Sequence, residues 1–225
     1  AVLLAPAQDH KRARDGDEGP NTGGMGAFCP VPGFTLGEPH VDALRATVIL
    51  PILRELAQRG TPFRGLLYAG IVDTAVGPKV LEYNVRFGDP ETQVVLPRLT
   101  SSLVDLLWAS ATGAPATGDG VAAVPVTFGD DAAVTVVMAS AGYPESSSHG
   151  DVIEGVAEAD AVEGVQVLHA GTSRDTAGRL VTAGGRVLAV TACGRGVDEA
   201  RGRAYRGVAL IRFDGSQHRT DIGRA

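Results

Sequence analysis

Long apolar runs, cysteine and basic clusters are scarce in this 225-residue sequence. No run reaches the roughly 18 apolar residues that a membrane helix needs, so we expect no membrane partner. The formal net charge is −6 and no basic block occurs, which argues against a general nucleic-acid binder. Cys29 and Cys193 are the only cysteines, and their separation fits neither a zinc site nor a disulfide framework. We therefore expect reduced thiols in the cytoplasm.

The remaining composition is that of an ordinary globular protein, with 44% apolar and 20% charged residues. Residues 113–123 are small, polar and rich in glycine and proline, which favours a linker. We therefore predict one domain over residues 1–123 and a second over residues 124–225. The sequence lacks an initiator Met and begins in an apolar segment, so we expect it to be cut from a longer chain.

The most informative stretch is residues 80–93, VLEYNVRFGDPETQ. In its first half Glu82, Asn84 and Arg86 share one parity, while the odd-numbered residues 81–87 are apolar. Because successive strand side chains point to opposite faces, the pattern predicts a strand with one polar face and one core-facing face.

The second half of this stretch, Gly-Asp-Pro-Glu, is typical of a helix start. Asp89 is the predicted N-cap and Pro90 the predicted first helical residue of a short helix that ends at Pro97. A helix N-terminus favours anions, so the stretch predicts a metal-phosphate site.

The polar face carries groups suited to that chemistry. Glu82 and Asn84 supply hard oxygen donors of the kind that Mg²⁺ prefers. Arg86 lies two residues further along and can pair with a phosphate or a substrate carboxylate. An ordinary surface strand with a Glu–Arg attraction has the same spacing, so spacing alone leaves both interpretations open.

Residues 15–26 are rich in Gly, Asp and Asn and show no apolar period, which predicts a loop. Its last part offers backbone N–H groups with little side-chain cover, which can wrap a phosphate. A surface loop has the same composition, and neither known glycine-rich nucleotide motif is present. The residues of this candidate phosphate loop are Asn21, Thr22, Gly23, Gly24 and Gly26.

Elsewhere, apolar residues at helical spacing predict helices over residues 39–59, 102–112 and 197–213, with Pro51 kinking or splitting the first. Apolar runs predict strands over residues 63–73, 134–140, 165–169, 179–181 and 186–192. Residues 63–73 and 80–87 are predicted to pair as an antiparallel hairpin, and Gly184-Gly185 predicts a second hairpin.

Several strings together resemble one family, the phosphoribosylamine–glycine ligases, also called glycinamide ribonucleotide synthetases. Residues 81–93 resemble its signature. The other similar strings occur in the expected order and are QDHKR (8–12), GPNTGGMG (19–26), AGYP (141–144), HAGT (169–172), GGRVL (184–188) and DIG (221–223).

The resemblance implies an α+β fold. It implies the second half of an ATP-grasp domain, an antiparallel sheet with helices, followed by a small β-rich C-terminal domain with one long helix. The implied activity joins 5-phosphoribosylamine to glycine, giving glycinamide ribonucleotide, ADP and phosphate through a glycyl phosphate, in de novo purine synthesis. Because the adenine-binding half is missing, the isolated chain is expected to be inactive and to expose an apolar patch.

The resemblance also assigns roles near the phosphates. Glu82 and Asn84 are implied ligands of Mg²⁺ or Mn²⁺, with ATP as co-substrate. Lys11 and Arg86 are implied catalytic residues that neutralise charge during phosphoryl transfer.

Glycine is implied to bind beside these groups. Arg86 and Gly88 are expected at its carboxylate, and Asp9 at its ammonium group, with His10 as a further substrate contact. The candidate phosphate loop is expected to close over the substrates.

Two alternatives remain. One is another ATP-grasp carboxylate–amine ligase or a carboxylase subunit, which would share Glu-x-Asn but not the whole string. The other is a non-catalytic ATP- or metal-binding module, against which the intact Glu82, Asn84 and Arg86 argue.

Overall fold

The structure is a computed structural model that describes residues 1–113 and 120–224. These residues form two compact units, each built from several stretches of chain. The first unit comprises Ala1–Pro6, Pro32–Gly88 and Leu99–Gly129, and the second comprises Ala7–Val31, Asp89–Arg98 and Asp130–Ala225. Most of the predicted linker, residues 114–119, lies outside the described residues, and the predicted boundary after residue 123 stays a prediction.

The described strands are β1 (Gln8–Asp9), β2 (Arg12–Arg14), β3 (Glu18–Asn21), β4 (Gly26–Cys29), β5 (Tyr68–Val72), β6 (Lys79–Asn84), β7 (Ala132–Ala139), β8 (Val165–His169), β9 (Thr172–Arg174), β10 (Leu180–Thr182) and β11 (Arg186–Gly194). The described helices are α1 (Pro39–Leu44), α2 (Leu50–Gln58), α3 (Thr92–Val95), α4 (Leu103–Thr112), α5 (Val156–Asp160) and α6 (Val197–Leu210). None of these helices has the length and apolarity of a membrane-spanning segment.

A five-stranded antiparallel sheet forms the centre of the second unit, in the order β1-β4-β7-β11-β8. Its middle strands are runs of Val and Ala because both faces are covered, and all eight residues of β7 are buried. The predicted strands at 134–140, 165–169 and 186–192 are confirmed to within a few residues.

Helix α6 covers this sheet with a stripe of small residues. Ala200, Ala204 and Val208 are buried in the same core as Val134 and Leu188. The predicted helix is confirmed but ends at Leu210, three residues early, since Ile211 already has extended backbone angles.

The hairpin predicted at Gly184-Gly185 is wrong. Strand β10 pairs with β9, while β11 pairs with β7 on one side and β8 on the other. The long apolar strand β11 gains more burial in the central sheet than beside β10.

In the first unit β5 and β6 form the predicted antiparallel hairpin, with β5 confined to Tyr68–Val72. Strand β6 ends at Asn84, so Arg86 lies beyond the strand rather than on its face. The predicted core face of β6 is wrong for the described residues, because Leu81 is 61% exposed and Val85 73% exposed.

The first unit also contains the predicted helix with an internal proline. A π-helical turn at Arg45–Ile49 separates α1 from α2, and the Leu50 N–H donates to the Arg45 carbonyl. Pro51 then falls in the first turn of α2, where a missing N–H costs little. The predicted disturbance at Pro51 is thus a π-helical turn before the proline, and the backbone angles stay helical at Leu44, Ile49 and Leu50.

Helix α4 follows its prediction closely. The Ser102 hydroxyl accepts a hydrogen bond from the Asp105 N–H, and Gly113 ends the helix in the left-handed conformation. Both ends therefore follow ordinary capping chemistry.

The predicted helix start at Asp89 and Pro90 is wrong. Helix α3 begins at Thr92, with Glu91 as N-cap, and has only four residues. The Asp89 carboxylate instead accepts hydrogen bonds from Arg186 Nη2 and Gln93 Nε2, both at 2.8 Å. Over residues 89–98 the structure therefore has no long helix whose N-terminus would attract an anion.

The predicted loop at residues 15–26 is also partly wrong, because β2 and β3 form a small antiparallel hairpin. The hairpin is bound to the segment 219–221: the Thr220 N–H donates to Asp15 Oδ1 (2.8 Å), and the Gly16 N–H donates to Asp221 Oδ2 (2.8 Å). Beneath it Arg219, 1% exposed, donates to the carboxylates of Asp17 and Asp221 at 2.7 Å.

Candidate functional site

The predicted site residues fall into two sets, one in each unit. Glu82, Asn84, Arg86 and Gly88 belong to the first unit. Residues 9–11 and the candidate phosphate loop belong to the second unit. We describe each set separately.

Strand β6 places the two candidate metal ligands on one face. Glu82 pairs with Gly70 across the hairpin, and Asn84 pairs with Tyr68. A Cβ on Gly70 would lie 3.2 Å from Glu82 Cγ, so glycine leaves room for the glutamate stem to cross the neighbouring strand. A carboxylate and an amide oxygen on one strand face suit a hard divalent cation.

These two side chains would supply only part of a metal shell. Within residues 1–113 and 120–224 no group of three or more His, Cys, Asp or Glu side chains is arranged to hold a metal. A hard divalent cation held by these two side chains would need further oxygen ligands, such as those of phosphate and water, to complete its coordination.

Arg86 lies in a bend just after β6, and Gly88 follows it outside helix and strand. The Arg86 guanidinium is exposed and donates to the Phe87 carbonyl at 2.7 Å. Unlike Glu82 and Asn84, Arg86 lies outside the strand pairing of β5 and β6.

In the second unit Asp9 is a buried carboxylate at the end of β1. Its side chain is 7% exposed, and Lys11 Nζ lies 3.1 Å from its Oδ2. Among the described residues no hydrogen-bond donor reaches its Oδ1. Burial, reinforced by the charge of Glu91, raises the pKa of Asp9 to about 6, against the opposing charges of Lys11 and Arg186. A positively charged ligand group would supply the missing donor.

His10 is also buried, but its contacts differ from those of Asp9 and Lys11. It is 6% exposed, packs against the Phe28 ring, and has its Nδ1 4.0 Å from Asp17 Oδ1. Burial, followed by the charge of Arg219, lowers the pKa of His10 and favours the neutral ring. These contacts give His10 a packing role, and a substrate contact stays a prediction.

The backbone N–H groups of the candidate phosphate loop already have hydrogen-bond acceptors within the second unit. Thr22 donates to the Lys11 carbonyl, Gly23 to Tyr143 Oη, Gly24 to Thr22 Oγ1, and Met25 to the His10 carbonyl, at 2.7 to 3.0 Å. A loop in this conformation has no N–H between residues 22 and 25 left for a phosphate, so wrapping one would require rearrangement.

The glycines of this loop instead permit close packing. A Cβ on Gly24 would lie 2.7 Å from Asp9 Oδ1 and 2.3 Å from Pro90 Cδ, and the φ of Gly24 is +111°. A Cβ on Gly26 would lie 2.6 Å from the Thr135 carbonyl oxygen. The loop backbone therefore lies directly against the Asp9 carboxylate.

Sequence reasoning assigned no role to three residues that the structure places here. Glu91, 9% exposed, acts on Asp9 through its charge. Arg186 and Tyr143 contact the loop backbone. All three lie inside strings that carried the family resemblance, which is the signal that marked them.

Two family models match the chain. The model described as phosphoribosylglycinamide synthetase, ATP-grasp (A) domain matches residues 1–92. The model described as phosphoribosylglycinamide synthetase, C domain matches residues 133–225. Together the two matches cover most of the chain in the order that the sequence strings predict.

Two relatives and one solved structure agree with these models. A phosphoribosylamine–glycine ligase of Streptomyces coelicolor is 54% identical over 222 residues, 97% of this chain and 51% of that protein. One of Leifsonia xyli is 52% identical over 221 residues, with the same two shares. The crystal structure of phosphoribosylamine–glycine ligase from Thermotoga maritima matches with a TM-score of 0.81 at 34% identity, over 98% of this chain and 51% of that one. The chain thus spans about half the length of the proteins it matches.

Proposed function

Because the chain belongs to the phosphoribosylglycinamide synthetase family, we propose that it is the catalytic C-terminal half of a phosphoribosylamine–glycine ligase. The observation that carries the proposal is the match of both family domains, in order, on one chain. Retention of Asp9, Lys11, Glu82 and Asn84 argues against a module that has lost catalysis.

The proposed reaction has two steps. The glycine carboxylate attacks the γ-phosphorus of ATP, which gives glycyl phosphate and releases ADP. The amine of 5-phosphoribosylamine then attacks the glycyl carbonyl carbon, expels phosphate and gives glycinamide ribonucleotide. The protein has to align three substrates and balance the charge of the moving phosphoryl group.

Asp9 is the proposed anchor for the glycine ammonium group. Its Oδ1 lacks a donor among the described residues, and its carboxylate is too buried for water to solvate it fully. An ammonium group would supply both a donor and a compensating charge, which favours the ionised form of Asp9. Arg86 and Gly88 are proposed at the glycine carboxylate.

Lys11 is the proposed cation for phosphate charge, since its side chain is 37% exposed while its Nζ pairs with Asp9. Glu82 and Asn84 would hold Mg²⁺ or Mn²⁺. A bound divalent cation would neutralise the charge of the ATP phosphates. We propose the cytoplasm as location, which suits thiols that form no disulfide.

The decisive test is an assay of a protein that carries this chain together with the upstream half found in its relatives. We expect phosphate release to require ATP, glycine and 5-phosphoribosylamine together. Release without glycine would exclude the proposed ligase and favour another ATP-grasp enzyme.

Substitution of Glu82 is the most direct single-residue test in that protein. We expect Glu82→Ala to lower kcat by about 100-fold or more, because a charged metal ligand is lost. Unfolding should stay unchanged, since Glu82 is exposed. The matched control is Glu55→Ala, an exposed carboxylate of the first unit that pairs with Arg59.

Turnover should be measured across a range of Mg²⁺ concentrations. Partial recovery of Glu82→Ala at high Mg²⁺ would support a metal ligand. Equal turnover of both variants at low Mg²⁺ would remove Glu82 from the metal shell.

A further inference from the structure

Gly23 is held at both of its backbone polar groups by side chains from distant parts of the second unit. Its N–H donates to Tyr143 Oη at 3.0 Å. Its carbonyl accepts from Arg186 Nη1 at 2.7 Å. A Cβ on Gly185 would lie 2.4 Å from the Tyr143 ring, so the Gly184-Gly185 string lets that ring lie against the backbone.

Arg186 also binds a second segment. Its Nη1 lies 3.0 Å from the Asp89 carbonyl oxygen, and its Nη2 donates to Asp89 Oδ2 at 2.8 Å. One guanidinium therefore ties the loop at Gly23 to the turn at Asp89 and Pro90. A planar group with several fixed donors suits such a junction better than a lysine does.

The two segments that Arg186 joins lie on either side of one close contact. The Gly24 backbone packs against both the Asp9 carboxylate and the Pro90 ring. A shift of the loop or of the turn would therefore change the space around Asp9 Oδ1, the oxygen without a donor among the described residues.

We propose that Arg186 and Tyr143 are positioning residues, which clamp the loop at Gly23 and thereby fix the Asp9 carboxylate for a substrate ammonium group. The clamp on the loop at Gly23 is inferred from the contacts of this chain alone. The role toward a substrate ammonium group rests on the proposed function.

Three variants separate the contacts of this clamp. Arg186→Met keeps the stem but loses the charge and all donors, whereas Arg186→Lys keeps the charge. Tyr143→Phe removes only the hydroxyl and keeps the ring beside Gly185. The matched control is Arg179→Met, which removes an arginine of the same unit that pairs with Asp175 at a turn.

The first measurement is amide hydrogen exchange of the chain, resolved by residue. In Tyr143→Phe we expect the Gly23 amide to exchange about tenfold faster or more, because its acceptor is lost. In Arg186→Met we expect faster exchange across residues 22–25, with partial protection restored in Arg186→Lys. Exchange at residues 22–25 that matches the Arg179→Met control in both variants would overturn the clamp.

The second measurement is steady-state kinetics of the longer protein. In Arg186→Met we expect the KM for glycine to rise about tenfold or more, with a smaller fall in kcat, since a displaced Asp9 weakens ammonium binding. The acid limb of kcat/KM for glycine should move to higher pH, because a positive charge that lowers the pKa of Asp9 is gone. Arg186→Lys should shift this limb less, and Arg179→Met should not shift it.

Amide exchange and kinetics together distinguish the clamp on the loop from its role in positioning Asp9 for substrate. Faster loop exchange with an unchanged glycine KM and an unmoved acid limb would overturn the positioning role. A wild-type protein without glycine-dependent phosphate release would overturn the proposed function, while loop exchange would still decide whether the clamp holds.

Discussion

In the second unit all eight residues of β7 are buried, whereas in the first unit the apolar residues of β6 are exposed. Strand β7 lies between β4 and β11, while β6 pairs with β5 within the described residues. Of the large hydrophobic side chains exposed among residues 1–113 and 120–224, all but Leu210 belong to the first unit.

This difference shows that the two sets of predicted site residues, one in each unit, are supported unequally. A two-stranded sheet is at best marginally stable alone, while a five-stranded sheet with a helix over it has its own core. Asp9 and the clamped loop therefore stand on a self-supporting scaffold. Glu82 and Asn84 stand on a hairpin whose apolar face we expect to be covered in a protein of the relatives' length.

The largest effect should come from a matched pair of leucines. Leu188 is fully buried in the second unit, and Leu81 is exposed in the first. We expect Leu188→Ala to lower the free energy of unfolding by about 3 kcal/mol, because a cavity forms in a closed core. Leu81→Ala should change it by less than about 0.5 kcal/mol. Urea titration of the chain measures both, and similar losses would show that β6 is buried in solution.

The second effect concerns a buried charge. Because burial raises the pKa of Asp9 to about 6 from 3.8, the native state binds a proton more tightly than the unfolded state. The ionised carboxylate therefore destabilises the fold above about pH 6, and this penalty fades as the pH falls from 6 towards 4.

We accordingly expect Asp9→Asn to stabilise the chain by about 1–2 kcal/mol at pH 8 and by much less at pH 4. Glu82→Gln, the exposed counterpart in the first unit, should change stability by less than about 0.5 kcal/mol at either pH. Thermal unfolding at the two pH values checks the prediction, and a destabilised Asp9→Asn at pH 8 would contradict it.

The smallest effect on stability, but a clear one on association, should follow charge on the exposed apolar residues of β6 and of the bend after it. The double variant Leu81→Lys with Val85→Lys should leave the free energy of unfolding within about 0.5 kcal/mol and lower binding of an apolar dye and self-association. Leu210→Lys, at the exposed end of α6, is the control and should leave both unchanged. Stronger light scattering by the double variant than by the unchanged chain would contradict the prediction that these apolar residues cause self-association.

Sequence patterns predicted the elements whose environment is local. Helices α4 and α6 were predicted from apolar residues at helical spacing, and the residues that cap α4, Ser102 and Gly113, act within one or two turns of it. The pairing of 63–73 with 80–87 was also predicted, from an apolar run and from alternation respectively, although β5 is confined to Tyr68–Val72 and β6 stops at Asn84.

The wrong predictions share a different physical cause, which is a partner that lies far away in the sequence. Asp89 has the sequence of an N-cap, but Arg186, 97 residues away, takes its carboxylate. Strand β11 does not pair with β10, which precedes it in the chain, but with β7 and β8 in the central sheet. For the site, motif resemblance assigned roles to Asp9 and Glu82, but only coordinates could reveal that Tyr143 and Arg186 hold the loop.

The hydrogen bonds that tie Asp15 and Gly16 to residues 220 and 221 have a consequence for biosynthesis. These partners are separated by 205 residues, and β1 and β4 likewise wait for β7 to complete their sheet. A ribosome delivers the chain from its N-terminus, so the early hairpin leaves the exit tunnel long before its partners exist. Folding of the second unit therefore has to wait until residues 220 and 221 are made, and contacts of such large sequence separation favour slow folding.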